Sequence, residues 1–312
     1  MRAMLLAAGL GTRLRPLTDQ LPKPAVPLLD RPLGHYAIDR LLAAGVTSLA
    51  ANAHHLPLDV ERVVCERLPH ACVAVEPILL GTGGGVRAAL TRLAERDGEP
   101  IHRDEAFVVS NADVLFAVDL AAALAAHVRA GAYATMVVRR DPRADRLGPI
   151  DVDAHGRVRR ILGVPDGRED TLTRTMFTGM SILSGRAVLD LPASGCLVRQ
   201  GYRRWLDRGE HVHAILDSAA FRDLGTPGDY LQAHLDLLSG AVPWVGVAPG
   251  PRWVHPSADV GRGAVLEQTA VGAGARIAPG VVLERVVVWP QTVVREADRG
   301  VILHPSGRLV AS

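Results

Sequence analysis

The chain has 312 residues, of which 48% are hydrophobic and 22% charged, and a formal net charge of +2. That length allows one large domain or two, the apolar share supplies a sizeable core, and the composition excludes extended disorder. The near-neutral balance gives no general field for nucleic acid, so any anion must be held by local groups.

The three cysteines, Cys65, Cys72 and Cys196, form no CxxC pair. They read as buried thiols of a reducing compartment, not as a disulfide frame or a zinc site. Met1-Arg2 precedes an apolar run too short for a signal peptide, and no stretch reaches the roughly 18–20 apolar residues of a membrane span. The expectation is a cytoplasmic protein with no membrane or nucleic-acid partner.

Taken in order, Ala3 to Ala8 reads as a buried parallel strand. It runs into Gly9-Leu10-Gly11-Thr12-Arg13-Leu14-Arg15-Pro16-Leu17-Thr18, followed by Pro22-Lys23-Pro24. Gly9 and Gly11 let backbone N–H groups approach and turn toward a ligand. The cations Arg13, Arg15 and Lys23 then converge, which describes a nucleotide-phosphate site. A P-loop is absent, and a dinucleotide fingerprint fails because Leu14 stands where its third glycine belongs.

Pro32 to Ala44 has helical spacing and stops at Gly45. Ser48–Ala53 reads as a strand, Leu56–Leu68 as a helix and Ala71–Val75 as a third strand. The β-α-β-α alternation predicts a mixed, mostly parallel sheet with helices on both faces, and ligands at the carboxyl ends of its strands. His54 and His55 read there as polar loop residues. Glu76-Pro77-Ile78-Leu79-Leu80-Gly81-Thr82-Gly83-Gly84-Gly85 reads as a glycine loop opening a helix, Val86–Leu93, and so as an anion or base cradle. Glu76 is either an acceptor for a base N–H edge or a solvated carboxylate. Ala106–Asn111 is a buried strand that ends in Ser110-Asn111-Ala112-Asp113, a carboxylate placed where Mg²⁺ can be held.

Leu120–Ala130 reads as a helix and Ala134–Arg139 as a strand. Gly148–Asp153 and Arg157–Ile161 read as a β-hairpin that forms part of a lid. Phe177–Ile182 is a further strand, Arg199–Arg208 a helix and His211–Ile215 a short strand. Thr226-Pro227 has the chemistry of an N-cap and first helical residue, opening a helix that ends near Leu238. Ala241 to Arg252 is rich in Pro and Gly and reads as a linker. Hexads then begin at Val254, Val260, Leu266, Val271, Ile277, Leu283, Val288 and Val294, the pattern of a parallel β-helix. The serial division is therefore a catalytic domain over 1–240, a linker over 241–252 and a β-helix over 253–312.

The Gly-x-Gly-Thr-Arg-Leu-Arg-Pro-Leu-Thr string with its Pro-Lys-Pro, and Asp223-Leu224-Gly225-Thr226-Pro227, resemble the sugar-1-phosphate nucleotidylyltransferase family. With the repeat tail, the resemblance is strongest to mannose-1-phosphate guanylyltransferases. It implies a Rossmann-like fold with a short left-handed β-helix. The implied reaction joins a nucleoside triphosphate to a sugar 1-phosphate, most simply GTP with mannose 1-phosphate. Arg13, Lys23, Asp113 and Asp223 are implied as catalytic, with Asp113 and Asp223 on Mg²⁺. Ala8, Gly9, Gly11, Thr12, Arg13, Glu76, Gly81, Thr82 and Gly83 are implied around the nucleotide, and Gly148, Thr178 and Gly179 around the sugar. Asn52 is given a structural role beside the nucleotide loop.

The chain departs from the family at three places. Ala112 replaces a glycine, Phe221 replaces a tryptophan, and Leu162-Gly163-Val164-Pro165 stands where many relatives carry Glu-Lys-Pro. The Gly83-Gly84-Gly85 variant also resembles uridylyltransferases acting on N-acetylmuramate 1-phosphate. A non-catalytic nucleotide-sugar-binding homologue and a hexapeptide acyltransferase using His255 or His304 are the alternatives. The eight hexads make fewer than three coils, so the tail is expected to pack on the catalytic domain or on a second subunit, giving a homo-oligomer.

Overall fold

The structure is a computed structural model and describes residues 1–163, 172–244 and 247–310. In chain order its first elements are β1 (Arg2–Leu6), β2 (Pro27–Leu28), β3 (Arg31–Pro32), α1 (Leu33–Ala43), β4 (Ser48–Ala53), α2 (Pro57–Arg67), β5 (Cys72–Val75) and α3 (Gly81–Asp97). There follow β6 (Ala106–Asn111), β7 (Val114–Phe116), α4 (Leu120–Arg129), β8 (Ala134–Arg139), α5 (Ala144–Leu147), β9 (Pro149–Val152), β10 (Val158–Ile161), β11 (Thr173–Ser184) and α6 (Gly185–Asp190). A π-helical turn, Leu197–Tyr202, leads into α7 (Arg203–Asp207), then β12 (Val212–Leu216), β13 (Phe221–Asp223) and α8 (Pro227–Ser239). The tail strands are β14 (Arg252–Val254), β15 (Asp259–Val260), β16 (Val265–Glu267), β17 (Thr269–Val271), β18 (Arg276–Ile277), β19 (Val282–Glu284), β20 (Val287–Val288), β21 (Val293–Val294), β22 (Asp298–Arg299), β23 (Val301–His304) and β24 (Gly307–Val310).

These elements fall into two compact units. One comprises Met1–Gly9, Ala37–Ala112 and Val118–Ala219; the other comprises Leu10–Tyr36, Asp113–Ala117 and Ala220–Ser312. The chain passes between the units at Gly9–Leu10, inside the glycine turn, and again at Tyr36–Ala37, Ala112–Asp113, Ala117–Val118 and Ala219–Ala220.

The first unit is a nine-stranded mixed α/β sheet. Its order is β10-β9-β11-β6-β1-β4-β5, with β8 also on β11 and β12 on β8. β6, β1, β4 and β5 are parallel, as the βα alternation requires, while β11 runs antiparallel to β6, β8 and β9. Met4, Ala50, Phe107 and Val109 from these strands share one core with Val86, Ala89, Leu90 and Leu93 from α3. The predicted hairpin forms as β9 and β10, and the strand expected over 177–182 extends to twelve residues because it pairs with three partners. The helix expected over Arg199–Arg208 begins instead as the π-helical turn. Of the segment replacing Glu-Lys-Pro, Val164 and Pro165 lie outside the described residues.

The second unit gathers the phosphate-loop segment, α8 and the tail around one core that includes Leu14, Leu17, Leu28, Tyr36, Leu224, Tyr230, Trp289 and Ile302. α8 starts at a complete capping box: Thr226 accepts from the Asp229 N–H at 3.2 Å, and Asp229 accepts from the Thr226 N–H at 3.0 Å. Such a cap is worth about 1 kcal/mol.

The tail is a three-sided parallel β-helix. Val254 pairs with Val271 and Val271 with Val288, so one coil takes seventeen residues, two hexads and one pentad. β15, β18 and β21 form the second side, and β16, β19 and β22 the third. Hexad leaders Leu266, Val271, Ile277, Leu283, Val288 and Val294 are buried inside it. Val260 departs from the expected pattern at 37% exposure, because it lies in the first coil and has no coil before it. Gly261 and Gly272 are required by close passage: a Cβ would sit 2.4 Å from the Pro279 nitrogen and 2.7 Å from the Pro290 nitrogen.

Candidate active site

In the second unit, Gly11 adopts φ +63° and opens a 3₁₀ turn, Thr12–Leu14. The turn is tied back by Thr18, whose Oγ1 donates to the Gly11 carbonyl at 2.8 Å. Leu14 is buried, and Thr12 and Arg13 are left exposed. A second 3₁₀ turn, Lys23–Ala25, follows Pro22 and turns Lys23 inward. Lys23 is 8% exposed, and its Nζ donates to Asp113 Oδ2 at 2.6 Å.

Asp113 and Asp223 are far apart in the sequence but are brought together by a short antiparallel ladder. β7 pairs with β13 so that Val114 faces Asp223 and Phe116 faces Phe221, and the Leu224 N–H donates to the Asp113 carbonyl at 3.2 Å. Phe116 and Phe221 meet edge-to-face at 5.4 Å, which gives the phenylalanine standing in for tryptophan its packing role. Burial first, and then the charge of Asp113, raise the Asp223 carboxyl above the usual carboxylate range; Lys23 and Arg13 pull it back. Gly225 keeps the next position clear for Arg13: a Cβ there would lie 3.1 Å from the Arg13 Nη1. Two carboxylates, a buried ammonium and a guanidinium therefore share this unit. The donor set fits Mg²⁺, which takes one or two carboxylates and completes its shell with phosphate oxygens and water.

The first unit carries a polar hub at the carboxyl ends of its parallel strands. Asn52, at the end of β4, accepts from the Ala7 N–H at 2.8 Å and donates to Glu76 Oε1 at 2.7 Å. Glu76 Oε2 accepts from the Leu80 N–H at 2.9 Å, the residue before α3. Both oxygens of the buried Glu76 are thus engaged by the protein, and the solvated alternative is set aside. The hub fixes the strand that enters the glycine turn and the start of α3 together. His54 joins it, with Nδ1 2.7 Å from the Glu76 carbonyl.

The glycine run is not a loop ahead of the helix. Gly81 to Gly85 are the first residues of α3, and the contacts they need are with the protein itself. A Cβ on Gly84 would fall 2.6 Å from the Ala193 carbonyl, and one on Gly85 2.5 Å from Asn52 Nδ2. Gly81 has φ +72° and would strike the Gly195 carbonyl. The Thr82 Oγ1 accepts from the Leu197 N–H at 2.8 Å, and the Gly83 N–H donates to the Gly195 carbonyl at 2.8 Å. Ala8 is buried, while Gly9 is exposed with nothing within 4 Å of a built Cβ.

Of the residues assigned to the sugar, Thr178 is 1% exposed and its hydroxyl donates to the Val137 carbonyl at 2.7 Å. Gly179 has φ +83° and packs on Asn111, and Gly148 packs on Leu162. Ala112, in place of the family glycine, is buried and donates its N–H to the Leu6 carbonyl at 3.1 Å. Sequence reasoning missed the β7–β13 ladder, the hub role of Glu76 and the Gly225–Arg13 approach. Only the last left a local signal, the glycine inside Asp223-Leu224-Gly225-Thr226.

Comparison with known proteins agrees with this geometry. The nucleotidyl transferase family model matches residues 2–240. A mannose-1-phosphate guanylyltransferase of Mycobacterium tuberculosis is 31% identical over 299 residues, covering 92% of this chain and 79% of that protein. A UTP–glucose-1-phosphate uridylyltransferase of Synechocystis sp. is 28% identical, covering 80% of this chain and 68% of that protein. The fold is shared with HddC from Yersinia pseudotuberculosis, solved in complex with GMP-PN, at a TM-score of 0.59 and 23% identity over 74% of this chain and 97% of that one. Among the described residues no helix is long and apolar enough to cross a membrane. A match that spans the amino-terminal loop, both aspartates and α8 places the chain in the nucleotidyl transferase family, as a sugar-1-phosphate nucleotidylyltransferase.

Proposed function

We propose that this enzyme joins GTP to mannose 1-phosphate, giving GDP-mannose and pyrophosphate. The observation that carries the reading is the shared cluster of Arg13, Lys23, Asp113 and Asp223 in one unit, with Lys23 buried against Asp113. The choice of substrates is supported by the guanylyltransferase relatives from Mycobacterium tuberculosis and Arabidopsis thaliana.

The sugar phosphate is already an anion at neutral pH, so attack on the α-phosphorus needs no protein base. What the protein contributes is position and neutralisation of charge. Asp113 and Asp223 would hold Mg²⁺, which supplies positive charge against the α-phosphate when bound. Arg13, planar and exposed, clamps the oxygens of the departing pyrophosphate. Lys23 acts as a point charge on the α-phosphate or the sugar phosphate. The backbone at the α3 amino terminus, Gly81–Gly83, serves the nucleoside, and the Asn52–Glu76 hub holds that terminus in place. The lid strands β9 and β10, with Gly148 and the Thr178–Gly179 backbone, serve the sugar.

The Synechocystis relative favours a second reading, uridylyl transfer to a hexose 1-phosphate. Pyrophosphate release is measured with GTP, UTP, dTTP, ATP and CTP, each against mannose, glucose, N-acetylglucosamine and N-acetylmuramate 1-phosphates. Highest kcat/KM for GTP with mannose 1-phosphate supports the proposal. Highest kcat/KM for a UTP pair replaces it with the second reading, and nucleotide binding without turnover in any pair rejects both.

A further inference from the structure

We propose that Tyr36, Tyr230 and His234 form a backbone clamp that positions Lys23, and that the β-helical tail holds this clamp through Trp289. The inference rests on the reading that Lys23 serves the reaction.

Three buried side chains each take a backbone group from one of three consecutive residues after Lys23. Tyr230 donates its hydroxyl to the Pro27 carbonyl. Tyr36 donates to the Leu28 carbonyl at 2.8 Å. The Leu29 N–H donates to His234 Nε2 at 3.1 Å. Leu29 has φ +56°, a conformation unusual for a leucine, so something outside the turn must hold it there.

His234 can play this part in only one tautomer. Its Nδ1 lies 3.0 Å from the Tyr230 carbonyl and must donate to it, which leaves Nε2 as the acceptor for Leu29. The ring is 2% exposed, and burial holds its pKa down to about 4, so it stays neutral at physiological pH.

Only four positions separate Lys23 from Pro27, and the path between them is pinned. The Val26 N–H donates to the Lys23 carbonyl at 3.2 Å, and the Leu33 N–H donates to the Val26 carbonyl at 2.9 Å. A shift of the clamped turn therefore reaches the Lys23 backbone, and with it the ammonium on Asp113.

The tail closes the clamp from the other side. Trp289, between β20 and β21, is 7% exposed and stands 5.9 Å from the Tyr230 ring and 5.1 Å from His304. Tyr230 in turn meets the His234 ring edge-to-face at 4.6 Å. Trp289 and Ile302 belong to the same core as Leu28, Leu29 and Leu33. This gives the repeat tail a task inside the catalytic unit.

The test uses the full chain and the variants Y230F, H234L, H234Q and W289F. Y230F removes one hydroxyl, and H234L removes both polar contacts at similar volume. H234Q can donate to Tyr230 and accept from Leu29. Two readouts are taken on variants that unfold cooperatively: acetylation of Lys23 by acetic anhydride, read by mass spectrometry, and steady-state pyrophosphate release. The labelling needs no substrate, so it reports on the clamp even where the substrate assignment fails.

Lys23 labelling is expected to rise about tenfold in Y230F and H234L as the turn opens locally. kcat is expected to fall about 10–100-fold while nucleotide KM changes less than about threefold, the cost of misplacing one charge. H234Q is expected near the parent on both, and W289F between the extremes. Unchanged labelling in H234L overturns the clamp. Raised labelling with unchanged kcat overturns the positioning role, and so does an H234Q variant as impaired as H234L.

Discussion

Replacing Lys23 and Asp113, singly and together, probes the ion pair at the centre of the site. The Lys23 side chain is 10% exposed and that of Asp113 is 28% exposed. Removing one partner of a fully buried pair costs about 3–5 kcal/mol; the partial exposure of Asp113 reduces this to about 2–3 kcal/mol for Asp113→Ala. Lys23→Met costs less, about 1 kcal/mol, because the stranded carboxylate can reach water and a buried charge is lost with the pair. The double variant then lacks both charges and should be no less stable than about the Asp113→Ala single. Urea unfolding of the four proteins gives a coupling of about 1–2 kcal/mol, far above the few tenths expected for independent sites. Pyrophosphate release should fall about 10²–10³-fold in each single variant, and the double should lose little more than the worse single. Additive stabilities, or a Lys23→Met enzyme with the parent kcat, refute the reasoning.

Asp223→Asn should inactivate the enzyme and stabilise the ligand-free fold at neutral pH. The folded-state pKa of Asp223 is raised, so the stability it contributes is present below the unfolded carboxylate value and is lost as pH rises through the raised value. The asparagine variant escapes that loss, and its urea midpoint should exceed the parent's at pH 7 while converging with it in acid. Gly84→Ala should cost about 1–3 kcal/mol through the Ala193 carbonyl, whereas Gly9→Ala, with open space around it, should leave stability unchanged and raise nucleotide KM; calorimetry and steady-state kinetics separate the two. His127 is buried, its Nδ1 lies 2.8 Å from the Thr135 hydroxyl, and burial holds its pKa at about 4. Its neutral form therefore supports the fold above the unfolded value of 6.5, and about 3 kcal/mol is lost as pH falls from there to 4. His127→Gln should flatten the acid limb of the stability curve by that amount.

What the sequence made legible was whatever a local pattern encodes. The apolar run into Gly9 and Gly11, the Thr226-Pro227 cap and the 6-6-5 spacing of the hexads each depend on neighbours within one or two turns of chain, and each appears in the structure. The strand pairing that joins Asp113 to Asp223 spans more than a hundred residues, and three-residue strands carry no periodicity to announce it. The packing of the glycine run was hidden for a related reason. Gly81–Gly85 read as a glycine loop opening a helix; once residues 193–197 pack against them, the absence of side chains is also a packing requirement. Glu76 stayed open between a base acceptor and a solvated carboxylate because nothing local shows that Asn52 and the Leu80 N–H will take both of its oxygens. His234 was silent altogether, a polar residue on a helix whose partner, Leu29, lies two hundred residues earlier.

Two carboxylates acting together beside Lys23 are the centre of the proposed chemistry. The most direct test of that pairing is the Mg²⁺ dependence of pyrophosphate release, at saturating substrates, for the parent, Asp113→Asn and Asp223→Asn. The parent is expected to require Mg²⁺, and each variant to fall at least about 100-fold at every Mg²⁺ concentration while remaining folded. A variant that stays within about threefold of the parent, with the same Mg²⁺ midpoint, contradicts it.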